Sequence, residues 1–431
     1  MKVDGYTVTV KLADDAGIAG DVLSLLQVNG SDLSIDTYSK MGKPVVLRMN
    51  GTSLGPDAEN GNLCTFTISG ITSDITATLA YAKKRTVTFN MNVDKAPNVS
   101  GYVYGKAEPM SVLEGRPSTL TATPGVGYDV DYFIVKGTKY GDKAEVVIPD
   151  DVETIDAYFR FSDWLGGVFS VGENTTVRFS RGNLWCDGTG SGHSSEIPKI
   201  KSFGFETNQY ESTPSVNHDR SIDHISHFMW SKSAEKSVKG IYAEEGDIYD
   251  KLFTNKDANT PSPDFAVNGQ QGFWRALSGD DSGEWKYLMD IRQTKYGENR
   301  RYAAAKVNDM SGLLIFPDNF SSWPSGAGDE PLSFNTNSSD WNSRNYSVEQ
   351  FNVLQDNGCV FIPAAGYRSG DPKHSVFALV NFVNIDGYYW SSTYHASTEA
   401  YSLSFDWQIV DPASSSERHN AYSIRLVTDV K

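Results

Sequence analysis

Three cysteines, Cys64, Cys186 and Cys359, serve a chain of 431 residues, an odd number with no Cys-x-x-Cys pair. That argues against a disulfide scaffold and against a structural zinc site. Cys186 and Cys359 could close one bridge if the fold brings them together; free buried thiols are the simpler expectation. Positive charge is also short. Lys and Arg number 38 against 54 Asp and Glu, a net charge of −16. Nucleic acid and anionic membranes both need a basic face, so neither is expected as a partner. No apolar run approaches the roughly twenty residues that span a bilayer, so no membrane insertion is expected. The opening Met1-Lys2-Val3-Asp4-Gly5 has no apolar leader core. Removal of a secretion signal, or export as part of a phage particle, would each account for that.

Motifs for chemistry are equally scarce. There is no Gly-x-Ser-x-Gly elbow. Gly188-Thr189-Gly190-Ser191-Gly192 lacks a following helix or Lys and reads as a flexible loop, not a phosphate cradle. No Asp-x-Asp-x-Asp-Gly loop offers calcium its converging oxygens. His218, His224 and His227, with Asp219 and Asp223 between them, could offer imidazoles to zinc or nickel; surface histidines are the plainer reading. Glu244-Glu245 and Asp280-Asp281 are adjacent acids that share no face of a helix or strand, and are expected in solvent. The expectation is a protein that is not an enzyme, with no catalytic residue, no metal and no cofactor.

What is present is aromatic residues, at 12%, and repetition. The length suggests about three domains. Tyr6-Thr7-Val8-Thr9-Val10 returns as Arg85-Thr86-Val87-Thr88-Phe89, a period of about 80 residues. Gly42-Lys43-Pro44 before Leu47 returns as Gly115-Arg116-Pro117 before Leu120. Each copy ends on an acidic turn and a strand, Asp74–Tyr81 and Glu153–Phe161. Short alternating segments with Gly, Pro, Asn and Asp turns predict two β-sandwich repeats, 1–84 and 85–161. From 162 to 431 tryptophans become frequent and helical patterns enter, predicting one α+β domain. One helix is expected over 282–292, with Trp285, Leu288 and Met289 on one face and Arg292 complementing the dipole. A second opens at Ser347 with Gln350 completing a capping box, and stops at Gly358.

The strongest signal is the tail. Tyr401-Ser402-Leu403-Ser404-Phe405-Asp406 alternates strictly, which predicts Leu403 and Phe405 facing the core and Ser402, Ser404 and Asp406 facing outward. Around it lie Tyr, Trp, Ser, Asn and His, the palette of antibody paratopes, where aromatics give rigid contact area and small polar residues adaptable hydrogen bonds. Tyr394, Trp407 and His419 are the expected anchors; Trp390 is expected in the core.

Several blocks coincide in order. They are Phe169-Ser170-Val171, Val177–Leu184, Phe203-Gly204-Phe205, Gln209-Tyr210, Trp274–Ser278, Tyr302–Asn308, Gly312–Asn319, Val360–Arg368, and Tyr389-Trp390-Ser391-Ser392-Thr393 with Ser423–Val427. Together they resemble the C-type-lectin-like domains of bacterial and phage surface proteins, in the branch related to formylglycine-generating enzyme. The resemblance covers 162–431 and implies two helices on small twisted sheets with the domain's ends close together. Oxidases of that branch bind copper through a cysteine pair; Cys186 and Cys359 sit in no such motif. The calcium triplets of animal C-type lectins are incomplete too, the nearest fragments being Trp341-Asn342-Ser343 and Pro317-Asp318-Asn319, the latter read as a turn. Leu120-Thr121-Ala122-Thr123-Pro124-Gly125-Val126-Gly127-Tyr128 resembles the signature of internalin B-type repeats, which implies a spacer.

The tail itself resembles the variable region of proteins diversified by retroelements that misread template adenines. Tyr394, His395, Ser397, Ser402, Ser404, Asp406, Asp411, Ser414, Ser415, Ser416, His419 and Asn420 fall between skeleton residues and are reachable from asparagine codons by changing adenines. Glu399, Trp407, Gln408 and Glu417 are not. These twelve positions with Trp407 form the expected ligand-binding face. The resemblance implies an extracellular adhesin or phage receptor-binding protein that meets a protein or glycan on a cell surface, and allows a homo-oligomer. The alternative is a structural pilus or surface subunit with the same fold and no diversified site.

Overall fold

The computed structural model describes residues 1–15, 17–93, 104–125, 127–189, 199–211, 224, 226–230, 266–268, 270–271, 273–297, 299–335, 344–368, 380–396, 398–418 and 420–430. It is 52% strand and 6% helix. The chain divides into two units, Met1–Phe161 and Ser162–Lys431.

The sequence repeat in the first unit reappears as a repeated closure. Strand β1 (Tyr6–Leu12) runs parallel to the last strand of its copy, with Val8 opposite Ile75 in Ile75–Tyr81. In the second copy Lys84–Val93 runs parallel to Thr154–Phe161, with Thr88 opposite Thr154. The first copy has a second sheet of four strands, with β2 (Val22–Asn29) at one edge beside β3 (Asp32–Ser39). Val8, Val45, Leu47 and Leu79 from one sheet and Leu33, Ile35 and Phe66 from the other share a single core. Period-2 alternation does this: on β3, Leu33, Ile35 and Thr37 are buried and their neighbours are not.

Both Gly-x-Pro turns need a left-handed glycine, φ +65° at Gly42 and +72° at Gly115. A Cβ on Gly115 would also lie 2.7 Å from the Gly55 nitrogen. Beside this close approach Arg48 donates to both Glu114 oxygens at 2.7 and 2.8 Å, and Ser53 and the Lys83 N–H donate to the same carboxylate. Burial alone would raise Glu114, but these donors override it and hold its pKa at about 2.

In the second unit β4 (Phe169–Gly172) and β5 (Thr175–Phe179) open a four-stranded sheet. Its other members are β6 (Arg275–Ala276) and the terminal β12 (Leu426–Asp429), which lies between β5 and β6, with Val177 opposite Asp429 and Arg275 opposite Val427. The expected first helix is shorter and, over most of its length, more widely wound than its pattern suggests. One α turn, α1 (Glu284–Lys286), runs into a π turn, Tyr287–Ile291, in which the Arg292 N–H reaches back to Tyr287 O. Trp285, Leu288 and Met289 are fully buried as the spacing required. Arg292 does not sit at the helix end in solvent. It is buried and donates to Leu288 O, Phe316 O and the Asp318 carboxylate. The second helix, α2 (Val348–Asp356), has the reciprocal Ser347/Gln350 capping box, and Gly358 at φ +89° stops it. Behind the helices β7 (Tyr302–Val307), β8 (Met310–Ile315) and β9 (Val360–Pro363) form an antiparallel sheet.

Candidate functional site

The tail forms a three-stranded antiparallel sheet of β10 (Gly387–Ala396) and β11 (Glu399–Phe405) with a third strand, Val410–Glu417, which lies between β11 and the terminal β12 in sequence. Its inner face carries Tyr389, Leu403 and Phe405, packed with Trp285 and Leu288 in the core. Trp390 is buried as well, on the opposite face, where its indole stacks on Tyr422 at 4.3 Å and donates to Phe228 O.

That opposite face is not the open display surface that alternation predicts. Ser402 sits on it, opposite Trp390 in register, and is 0% exposed. Residues distant in sequence cover it. Trp230 is buried and donates to Ser391 O at 2.9 Å, while Tyr422 lies across Trp390 and Tyr388. Ser402 is therefore removed from the contact surface. Tyr394 is half-buried beside Trp230, with the Arg418 guanidinium 5.8 Å from its ring. Ser416 and Asn420 are half-buried and lie beside Tyr422, where both favour its ionised form against burial. Ser404 and Ser414 are half-buried and Ser415 is exposed. Ser397 and His419 lie outside the described residues.

The accessible positions gather at two ends of the sheet. Ala400 and Phe405 are five residues apart on β11, about 17 Å at the usual strand rise. At one end His395 is exposed, its Nδ1 3.0 Å from Glu399 Oε2 and its ring edge-on to Tyr401. At the other, Asp406 Oδ1 accepts the N–H groups of Gln408 and Ile409 and closes a turn. That turn puts Trp407, 55% exposed, and Ile409 into solvent. Asp411 spends one oxygen on the Ala413 N–H.

Sequence reasoning missed the residues beside that turn. Tyr388 is on the outer face with Trp390, Tyr367 packs against it, and Phe382 lies parallel to Tyr367. Their adjacency depends on three separated segments, so no local pattern announced it. The signal that was available is the unbroken aromatic run Tyr388-Tyr389-Trp390, in which alternation must turn one tyrosine outward.

The weaker motifs resolve into structural roles. His227 is not on the surface: it is buried, its Nε2 3.0 Å from Ala365 O, and burial with the nearby Arg368 charge lowers its pKa to about 4. His224 stacks on Trp185 and pairs with Glu206 at 2.7 Å. Asp318 in the Pro317-Asp318-Asn319 turn accepts from Ser170 and Arg292. All three cysteines are buried and none is in a disulfide. Asp280 binds the Ser282 N–H and hydroxyl. His218, Asp219, Asp223, Glu244-Glu245 and Trp341-Asn342-Ser343 lie outside the described residues, as do Gly190 to Gly192. Among the described residues no group of three or more His, Cys, Asp and Glu is placed to hold a metal, and no helix is long and apolar enough to cross a membrane. Comparison with family models, with curated proteins and with solved structures found no match.

Proposed function

We propose that the chain is an extracellular ligand-binding protein, an adhesin or phage receptor-binding protein. In this reading two Ig-like β-sandwich repeats act as spacers and residues 162–431 are a C-type-lectin-like head that engages a protein or glycan on a cell surface. The observation that carries it is the turn after β11, which displays Trp407 and Ile409 on a backbone fixed by Asp406. A large aromatic held rigidly in solvent loses little entropy on contact and is the residue type that anchors interfaces. The binding surface in this reading is the two ends of the terminal sheet, with His395 and Ser415 contributing at one and Trp407 at the other. Whether it is diversified is tested by sequencing the gene's surroundings; a reverse transcriptase and a near-identical template repeat are expected, and their absence removes that part. For binding, Trp407→Ala should abolish capture of surface ligands while leaving Tm nearly unchanged. Undiminished capture would sink the assignment.

A second reading, a structural surface subunit, is favoured by β2. This edge strand holds no charge and no proline over eight residues, and Leu23, Leu25 and Val28 are exposed along it. Such an edge pairs readily with another strand unless a charge or proline blunts it. Concentration-dependent assembly in sedimentation, lost in Leu25→Lys, would support that reading, and a monomer at all concentrations would remove it.

A further inference from the structure

Next to the Trp407 turn lies a corner of aromatic rings lined by carboxylates. Phe382 is 50% exposed, and its ring lies parallel to that of Tyr367 (5°, centroids 5.8 Å apart). Tyr388 stands nearly perpendicular to Tyr367 (77°, 5.2 Å) and stacks on Tyr422 (4.8 Å). Two ring planes therefore meet at close to a right angle, with Phe382, Tyr367 and Tyr388 all reaching solvent.

Register supplies the charge. Tyr388 is opposite Ser404 and Gly387 opposite Phe405, so the next step sets Asp386 across from Asp406 on the face that carries Tyr388. The Tyr388 hydroxyl donates to Asp386 Oδ2 at 3.4 Å. Among the described residues neither Asp386 nor Asp406 has a lysine or arginine partner. Burial first, and then the Asp406 charge, raise the pKa of Asp386, against the Tyr388 hydrogen bond that lowers it.

The loop that makes the corner is pinned. The Asn384 N–H donates to Ala364 O, its Oδ1 accepts the Ser311 N–H, and the Asp386 N–H closes onto Phe382 O. Phe382 is held at φ +60°, a conformation rare for a bulky residue. The ring is therefore set in place before any partner arrives.

We propose that this corner is a subsite for one cationic side chain, a lysine or arginine of a partner protein. Ring faces carry negative electrostatic potential and attract ammonium and guanidinium groups, and the two carboxylates act in the same sense. A neutral sugar ring would use the stacking surface but would leave two like charges uncompensated. The proposal deepens the ligand-binding reading and depends on it only for the existence of a natural partner.

The test uses the full chain and blocked tripeptides Gly-X-Gly, with X lysine, arginine, or citrulline as the neutral isostere of arginine, followed through the Tyr367 and Tyr388 ring signals by NMR. The lysine and arginine peptides should shift these signals and citrulline should not. Asp386→Asn with Asp406→Asn should weaken arginine binding by about tenfold, and Phe382→Ala should weaken it while leaving both carboxylates. Asn at 406 keeps the turn's acceptor, and an unchanged Tm confirms that the variants fold. Equal binding of citrulline and arginine, no binding of any peptide, or stronger shifts from a neutral oligosaccharide would each overturn the proposal. Surface-ligand capture separates the two levels. If Trp407→Ala abolishes capture and the Asp386/Asp406 double variant retains it in full, the subsite falls and the binding reading stands. If Trp407→Ala has no effect while arginine selectivity persists, the binding reading falls and the subsite stands.

Discussion

The two units differ in whether they bury guanidiniums. Among the described residues of 1–161 the buried charged groups are carboxylates, Asp21 and Glu114, with no guanidinium. In the described part of 162–431, five guanidiniums are buried, Arg275, Arg292, Arg368, Arg418 and Arg425, beside three carboxylates, Asp163, Glu206 and Glu284. The difference follows from how each unit satisfies its backbone. In the repeats the ladders pair the main chain, and the buried acids tie side chains at a few junctions. The second unit has many irregular connections whose carbonyl oxygens need donors, and an arginine brings five in a fixed fork. Arg292 serves three carbonyls, Arg368 serves His227 O, and Arg425 reaches the side-chain oxygens of Asn183 and Gln209. Burial lowers the pKa of Arg425 to about 10, so it still carries its charge at neutral pH.

The contrast can be broken most sharply at Arg275. This residue donates to both Glu284 oxygens at 2.7 and 2.8 Å and to Asp429, joining α1 to the terminal strand. Arg275→Met leaves Glu284 charged and buried, at a cost of about 3–5 kcal/mol. Calorimetry should show the second unit's transition falling by many degrees and the first unit's staying put. A shift of both would mean that the units do not unfold independently.

Acid separates the units by a smaller amount. His227 is neutral in the fold with a pKa of about 4, but takes up a proton below its ordinary 6.5 once unfolded. The unfolded state thus binds more protons, and the second unit loses stability as pH falls from 6.5 to 4, on the order of 3 kcal/mol. In His227→Gln that window should flatten; an unchanged slope would move the cause elsewhere. Glu114 works lower. Its folded pKa is depressed from 4.5 to about 2, so its stabilisation is present above 4.5 and lost as pH falls toward 2. The first unit should therefore hold its Tm where the second is already failing. Glu114→Gln should cost the first unit about 2 kcal/mol at neutral pH, measured by urea unfolding, and remove that acid dependence.

How much of this the sequence disclosed differs between the units for the same reason. Period-2 alternation is local, so the repeated strands and the repeated Gly-x-Pro segments ahead of Leu47 and Leu120 were legible in short stretches; the structure adds that Gly42 and Gly115 are left-handed and both leucines buried. The capping box at Ser347 was local too. In the tail, alternation told correctly that Leu403 and Phe405 share the inner face, but it is silent on what covers the other side. Trp230 and Tyr422 do so from other parts of the chain, which turns Ser402 from a display residue into a buried one. The corner of Tyr367, Phe382 and Tyr388 escaped for the same cause, since three segments meet there. Arg292 reads as a helix-end cation until Asp318 and the carbonyl of Phe316 are seen around it.

The place of β12 has a consequence in time. It follows every other strand of its sheet in the chain, yet it lies inside that sheet, between β5 and β6. A ribosome therefore delivers β4, β5 and β6 long before the strand that unites them. Until Leu426–Asp429 emerges, Val177 and Arg275 lack the neighbours that face them in the finished sheet. The repeats of the first unit, complete at Phe161, have no such wait. Synthesis sets an order in which the strands of the first unit are all made before the sheet of the second can be completed.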